Sequence, residues 1–556
     1  MSSKRGKWLL IGVLFIGFLL RFYNLNWDKG YHFHPDERMI TIVADKIRLP
    51  ENDKEWSEIL TSESSLNPKF FAYGSLPIYL LRIVGDKAKI INHEYGSYGK
   101  LNLVGRFLVI LFDVGSILLI YIVGKKMFNW EVGSLGALFY SVCVFGIQNS
   151  HFYTVDIILN FFVLLFIYRC LLFFEKASIK NSLLMGIVFG MILATKITGV
   201  LSGFVVGGVL LELVFDKKVK LGEILKWGLV FSLAGLVSWF LFEPFAFLDF
   251  GEFSKQVLVQ IEMNKSAFTF PYTLQYVGSL AYWYPVKNIY LWGLGAVLGV
   301  ICFLGVLGMS VDLVRRLVMK RVDKRWWERV FVMIFFWGYF LVVGKSAVKF
   351  MRYYLVLYPT FCLMGGWVFY KMNKYLEKKV RKRLLVAINI ILVVGVVFWP
   401  VAFISIYAKE QTKIEASYFI NEKIEEGAVI GVEHWDDRLP LWGQSNFLFE
   451  ELPLYEVDSE EKWQLMREKL DIIDYIVIAS NRLYVPLTKL DNIYPVTKEY
   501  YNDLFSGRLG FRKVAEFKSY PEIAGMEVLD DSADESFTVY DHPKVMIFKK
   551  EGGNEK

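Results

Sequence analysis

The sequence predicts an α-helical polytopic membrane protein of about eleven spans, followed by a C-terminal α/β domain. Three observations predict it. Apolar residues are 54% of the 556, and they collect in runs approaching the roughly 20 residues that cross ~30 Å of hydrocarbon. Basic residues fall in short clusters between those runs, and beyond about residue 406 hydropathy drops while charge rises. A mean hydropathy of +0.37 with 17% aromatic residues excludes an ordinary soluble domain. The formal charge of +7 does not indicate a nucleic-acid groove, because the basic residues lie where cytoplasmic loops carry them.

The apolar runs place spans at 8–23, 102–123, 132–150, 156–173, 181–194, 197–215, 225–247, 288–310, 329–344, 353–371 and 384–406. The fifth and sixth are the weakest, since the fifth is short and Lys196 interrupts the pair. Basic clusters at Lys4–Lys7, Lys125-Lys126, Lys176–Lys180, Lys217–Lys220, Arg315–Arg325 and Lys371–Arg383 test the count. With the N-terminus inside, eleven spans put them all on the cytoplasmic side, and losing one span would move the later ones out. The first run lacks a small-x-small cleavage site and reads as an uncleaved span. Cys143, Cys170, Cys302 and Cys362 all lie in apolar runs without Cys-x-x-Cys spacing, which argues against a zinc site or a disulfide framework.

Three segments then face outward. Residues 24–101 include a stretch, 38–62, that mixes charged and apolar residues as interfacial helices do. Residues 248–287 combine the amphipathic run Phe253–Met263 with Tyr272, Tyr276, Tyr282, Trp283 and Tyr284. From about 407 the pattern reads helix (Glu415–Glu425), strand (Ala428–Glu433), helix (Glu460–Leu470), strand (Asp474–Ala479). Gly507–Gly510 is too sparse for a phosphate loop. The chain divides as 1–406, a membrane domain, and 407–556, an extracytoplasmic α/β domain.

Charge next to hydrocarbon is costly, so charged residues at span ends on one face carry a functional hypothesis. On the outward face they collect: Asp36, Glu37 and Arg38 in Tyr31-His-Phe-His-Pro-Asp-Glu-Arg38, His151 and Asp156, Lys196, then Lys345, Lys349 and Arg352. A transferase with a lipid-phosphate donor needs one carboxylate to activate an acceptor hydroxyl and cations to hold the departing phosphate. Each residue also has a plainer explanation. Asp36-Glu37 after Pro35 suits the first turn of an interfacial helix. Lys345, Lys349 and Arg352 would snorkel to head groups, although their i, i+4, i+7 spacing shares one face if helical. His32, His34 and Asp36 alternate as metal ligands would in an extended run, with His151 as a further candidate. The aromatic residues of 272–292 suit an interfacial belt as well as sugar stacking.

The carriers of a family resemblance are Arg21-Phe-Tyr-Asn-Leu, Phe33-His-Pro-Asp-Glu37, Phe71-Ala-Tyr-Gly-Ser-Leu-Pro77, His151-Phe-Tyr-Thr-Val-Asp156, Ala194-Thr-Lys-Ile-Thr-Gly199, Pro271-Tyr-Thr-Leu-Gln-Tyr276 and Lys349-Phe-Met-Arg-Tyr-Tyr-Leu-Val-Leu-Tyr-Pro359. In that order, on outward span ends, they make the chain resemble the GT-C superfamily. Within it, the chain is similar to the polyprenyl/dolichyl-phosphate-sugar group that includes protein O-mannosyltransferases and aminoarabinose transferases. The resemblance implies an inverting glycosyltransferase that moves a sugar from a polyprenyl monophosphate to an acceptor hydroxyl on the extracytoplasmic face. It implies Asp36, Glu37 and Asp156 as the catalytic acidic residues. Donor-phosphate and substrate contacts would come from Arg38, His34, Tyr73, His151, Lys196, Gln275, Tyr276, Lys345, Lys349, Arg352 and Tyr353. It implies no cofactor and no divalent metal. The partners expected are the lipid-linked donor, a protein, lipid or glycan acceptor and the cell membrane, with no nucleic acid.

The C-terminal region departs from eukaryotic O-mannosyltransferases, which place a β-trefoil in a loop; here Glu433-His-Trp-Asp-Asp437 and Tyr540-Asp-His-Pro543 lie in a tail. That leaves the acceptor open. A transporter or flippase for a lipid-linked sugar is the alternative, though the sequence shows no internal repeat and its charges gather at one face instead of the midplane. An accessory glycan-binding role is a third reading, confined to the tail.

Overall fold

The computed structural model describes residues 2–215 and 219–552, with the side chains of 2–5 and 215 excluded. Lys4-Arg5 and Lys217-Lys218, two of the basic clusters read from the sequence, lie outside the described side chains. The chain divides into two compact units: Met1–Asn26, His34–Glu262 and Ala281–Pro400 form the first, and Trp27–Phe33, Met263–Leu280 and Val401–Lys556 the second.

The first unit is helical, and helical segments cover the predicted spans, with the sixth, eighth and tenth including 3₁₀ or π turns. Among the described residues, seven helices are long and apolar enough to cross a membrane, Tyr98–Met127 and Val155–Glu175 among them. Ile179–Leu193 is apolar but shorter. The third predicted span is not one helix. It breaks into Trp130–Ser141 and Val144–Asn149, with Cys143 extended between them. The cause is Arg21: its guanidinium donates to the carbonyls of Ser141 (2.8 Å) and Tyr140 (3.2 Å), the acceptors a continuous helix would use at its next turn. Arg21 also donates to Asp113 (2.5 Å), whose other oxygen accepts from the Tyr140 hydroxyl at 2.6 Å. Every side chain in this knot is fully buried, so each polar group needs the others as partners.

Close approach between spans relies on small residues, as in membrane bundles generally. A Cβ at Gly190 would lie 2.4 Å from the Gly235 carbonyl oxygen, so Ile179–Leu193 and Leu221–Phe242 touch backbone to backbone there. In the loop after the first helix, Pro35–Lys46 is an amphipathic helix that buries Ile40, Val43 and Ala44. It packs against Ser75–Ala88 and the start of Tyr98–Met127. Of the expected interfacial stretch 38–62, the part to Lys46 is therefore helix with one face in the protein core, and Asp53–Ser57 is a short helix without buried residues.

The second unit is built on a five-stranded sheet of β1 (Val429–Glu433), β2 (Leu448–Leu452), β3 (Tyr475–Ile478), β4 (Phe511–Phe517) and β7 (Val545–Lys550); β5 (Glu522–Ile523) and β6 (Met526–Glu527) pair separately. The strand order is β2-β1-β3-β7-β4. β1 runs parallel to β2 and β3, while β7 runs antiparallel to β3 and β4. Side chains alternate across the sheet with period two. Ile430, Val432, Tyr475, Val477, Val545 and Ile547 pack with Ala416 and Ile420 of the helix Thr412–Lys423. On the other face Ile476, Ile478, Met546 and Phe548 pack with Met466, Tyr501 and Leu504 of Glu460–Ile472 and Pro495–Ser506. A sheet covered on both faces explains why its central strands read as continuous apolar runs.

The Tyr540-Asp-His-Pro543 segment is structural. His542 Nε2 contacts Asp530 at 2.8 Å and Nδ1 contacts Asp541 at 2.5 Å, and Tyr407 donates to Asp541 at 2.9 Å. Burial opposes the imidazolium, but the two carboxylates outweigh it and push the His542 pKa up to about 10 from an ordinary 6.5. A raised folded-state pKa stabilises most below pH 6.5, and the stabilisation fades as pH climbs towards 10. Amide hydrogen exchange across 528–544 should therefore accelerate as pH rises through that window, beyond its intrinsic pH dependence. His542→Gln should remove the excess.

Candidate active site

The site starts from the first turn of Pro35–Lys46. Proline takes the N1 position, and Asp36 and Glu37 follow at the positive end of the helix dipole. Consecutive helical side chains diverge by ~100°, so the two carboxylates have separate surroundings. Glu37 is fully buried. Arg106 reaches it with Nε to Oε1 at 2.8 Å and Nη2 to Oε2 at 2.7 Å, and the Tyr153 amide donates to Oε1 at 3.0 Å. Asp36 is only half-buried and pairs with Arg352.

The second segment is His151–Asp156. His151 clamps two stretches of backbone, with Nδ1 2.9 Å from the Ile147 oxygen and Nε2 2.9 Å from the Tyr23 oxygen. The Tyr153 hydroxyl donates to the Pro77 carbonyl at 2.7 Å. Asp156 lies in the first turn of Val155–Glu175 and accepts from Lys196 Nζ at 2.8 Å.

Lys196 is brought in by a backbone contact that only glycine permits. Gly74 N donates to Thr195 O and Leu76 N to Ala194 O, both at 3.0 Å; a Cβ on Gly74 would sit 2.0 Å from the Ala194 oxygen. Lys196 Nζ then lies 5.8 Å from the Tyr73 ring centroid and 5.1 Å from that of Tyr353. Cation–π attraction supplements its ion pair.

The third segment is Lys349–Tyr353. Arg352 lies 5.0 Å from the Phe350 ring centroid and pairs with Asp36. Lys349 is buried, donates to the Ala347 carbonyl at 3.1 Å, and burial lowers its pKa. His34, the N-cap of Pro35–Lys46, has its ring 4.7 Å from Phe152. Burial first, then the charges of Arg352, Arg106 and Arg38, hold the imidazole pKa well below its ordinary value, so it is neutral.

The contacts close on themselves. Asp36 meets Arg352; the neighbouring Tyr353 meets Lys196; Lys196 meets Asp156; and Tyr153, just before that helix, meets Glu37. Arg38, Arg106, Lys196 and Arg352 outnumber Asp36, Glu37 and Asp156, and the surplus of positive charge favours an anionic ligand.

Not every predicted residue joins this circuit. Lys345 is exposed, and the face shared by Lys345, Lys349 and Arg352 does not form. The helix stops at Gly344, whose carbonyl is taken by the Tyr282 amide at 3.1 Å, and a 3₁₀ turn resumes only at Met351. Gln275 and Tyr276 are engaged within the second unit. Gln275 exchanges hydrogen bonds with Glu535 (3.2 and 3.0 Å), and Tyr276 donates to Asp534 at 3.4 Å. The extended His32-x-His34-x-Asp36 run is also absent, because His32 has a positive φ of 52° and the helix starts at Pro35. Among the described residues, no group of three or more His, Cys, Asp or Glu is placed to hold a metal ion. Arg106 and Asp113 were not read as site residues from the sequence. Their signal is a lone charge inside an apolar span, which demands a buried partner.

The model of the dolichyl-phosphate-mannose-protein mannosyltransferase family matches residues 98–242, the stretch carrying Arg106, Asp156 and Lys196. No curated protein is similar enough in sequence to match. Among solved structures, the apo oligosaccharyltransferase of Archaeoglobus fulgidus is similar over 98% of this chain and 88% of its own, at 12% identity and a TM-score of 0.51. The oligosaccharyltransferase AglB of the same organism, in complex with an inhibitory peptide and a dolichol-phosphate, is similar over 99% and 89%, at 13% identity and 0.51. ArnT from Cupriavidus metallidurans in the apo state is similar over 88% and 95%, at 14% identity and 0.49. The chain has the GT-C fold, a membrane helical unit with a C-terminal sheet-containing unit. Residues 98–242 are what the mannosyltransferase family model matches.

Glu37 and Arg106 are both fully buried, so removing one strands the other charge. Glu37→Ala or Arg106→Ala should cost about 3–5 kcal/mol, read as a large fall in the thermal midpoint of the detergent-solubilised protein. The half-buried Asp36→Asn should shift that midpoint far less.

Proposed function

We propose that the chain is an inverting glycosyltransferase that moves a sugar from a polyprenyl-monophosphate donor to an acceptor hydroxyl on the extracytoplasmic face of the cell membrane. The observation that carries this reading is the closed circuit of Asp36, Arg352, Lys196 and Asp156. It sets a half-buried carboxylate among cations at helix ends, which this reading takes to face outward. The oligosaccharyltransferase solved with a dolichol-phosphate supports a lipid monophosphate as the anion, since it shares the fold.

In this mechanism the acceptor hydroxyl attacks the anomeric carbon from the side opposite the phosphate. The carbon–oxygen bond to the phosphate breaks as the new glycosidic bond forms, so configuration inverts in one displacement. Asp36 aligns the acceptor hydroxyl and takes its proton. Lys196, Lys349 and Arg352 stabilise the charge that gathers on the departing polyprenyl phosphate. Asp156 orients Lys196 through their 2.8 Å contact, and Tyr73 and Tyr353 narrow the path of that ammonium. Glu37 acts through position: its double contact with Arg106 fixes the turn that presents Asp36. Arg38 and the neutral His34 complete the rim, and His151 holds the backbone beneath it.

Purified protein incubated with polyprenyl-phosphate sugars should release polyprenyl phosphate. Asp36→Asn should lower that turnover about 100- to 10,000-fold while the protein still binds donor, the range expected for loss of a positioned base. Lys196→Ala should mainly weaken donor binding. An Asp36→Asn enzyme as active as the parent removes the assigned role, and transport of intact donor across proteoliposomes without turnover overturns the reading.

A further inference from the structure

The same helices end, on the side opposite the candidate active site, in a second cationic pocket. Tyr98–Met127 carries Arg106 near its start and leads into Phe128 at its end; Lys324–Gly344 begins at the pocket and stops near the site. At 1.5 Å per residue, the 21 residues of that helix separate the two by ~30 Å, about a membrane's hydrocarbon thickness.

The pocket is a cavity of about 160 Å³ that opens to the surface. Four cations line it: Arg316, Arg325, Arg329 and Lys371. One carboxylate lines it with them, and Asp323 and Glu328 stand near enough to act on Arg329 and Arg325. Asp312 accepts from Arg316 Nε at 2.9 Å and lies 3.9 Å from Arg329 Nη1. Among the described residues, no ion pair involves Arg325 or Lys371. Arg329 is 8% exposed, stacks at 4.8 Å over the Phe128 ring, and its buried Nε has no hydrogen-bond partner among the described residues. A buried guanidinium donor left without an acceptor costs free energy that a bound anion would recover. Aromatic residues beside the cations give the pocket the make-up of a membrane–water interface.

We propose that this pocket binds a phosphate group, held by Arg329 from beneath and by Arg316, Arg325 and Lys371 around its mouth. Guanidinium forks match phosphate oxygens in pairs, and basic pockets between spans take anionic head groups. The phosphate arrives as the head group of an anionic phospholipid or as a free phosphate ester. This site is separate from the proposed transfer reaction, and none of its residues belongs to that machinery.

Full-length protein in nanodiscs of phosphatidylcholine doped with phosphatidylglycerol tests the proposal by native mass spectrometry. Retention of phosphatidylglycerol over phosphatidylcholine by tenfold or more, lost in Arg329→Gln, is the result expected for a lipid source. Because Arg329 is buried, the exposed double variant Arg325→Gln/Lys371→Gln provides a second reading: it should lose most of the preference while glycosyl transfer stays at the parent's level. Calorimetric titration of inorganic phosphate into protein in pure phosphatidylcholine nanodiscs supplies the other arm. Phosphate binding without lipid preference, again lost in the double variant, identifies a free phosphate ester. Equal retention of the two lipids together with no phosphate binding overturns the proposal, as does a double variant that behaves like the parent.

Discussion

An ion pair with no access to water, Glu37 with Arg106, is the constraint on which the candidate site rests. Arg106 stands near the start of a 30-residue apolar helix, and Glu37 stands in a short helix from a loop. Desolvating two charges costs several kcal/mol each, and only near-ideal geometry offsets that. Here the guanidinium makes two parallel contacts and the Tyr153 amide adds a third. Sliding the loop helix along the span would leave a buried carboxylate without its donors, so the position of the first turn is fixed. Asp36 inherits that position: it is one residue away, faces another direction, and stays half-buried. Two adjacent carboxylates thus differ in setting, Glu37 fully buried and Asp36 half-buried.

The same logic repeats at two other points. The Arg21–Asp113 knot breaks the third predicted span and sets the turn before His151. The contact at Gly74 threads one loop against another closely enough to deliver Lys196 to Asp156. Each device places a charge at a span end by satisfying a buried polar group elsewhere. Spans join the circuit at one end and frame the phosphate pocket at the other, so rigid helices set the position of both anion-directed regions.

Much of this was legible in the sequence. Apolar runs located helical segments across the predicted spans, seven helices among the described residues being long and apolar enough to cross a membrane, and the alternation of helix and strand marked β1 and β3 of the second unit. Asp36, Asp156, Lys196 and Arg352 were marked by their position beyond span ends, and the structure gathers them. What stayed illegible depends on partners distant in sequence. Nothing around residue 142 signals a broken helix, because the interruption comes from Arg21, over a hundred positions earlier. Lys345 kept its helical spacing on paper, but Tyr282 captures the Gly344 carbonyl and ends the helix. Gln275 and Tyr276, expected as donor-phosphate or substrate contacts, hydrogen-bond to Glu535 and Asp534, some 260 positions away in sequence. Arg106 and Asp113 drew no reading from the sequence, although the cost of a charge inside an apolar run is itself the signal.

The central claim is that the cation-rich circuit around Asp36 receives the phosphate of a lipid-linked sugar. Mass spectrometry of lipids that copurify with the full-length protein tests it most directly. A polyprenyl monophosphate, free or carrying one sugar, should be bound by the parent protein and depleted when Lys196 and Arg352 are both replaced by alanine. A protein that carries only bulk phospholipid, or whose polyprenyl phosphate survives that double replacement, would contradict it.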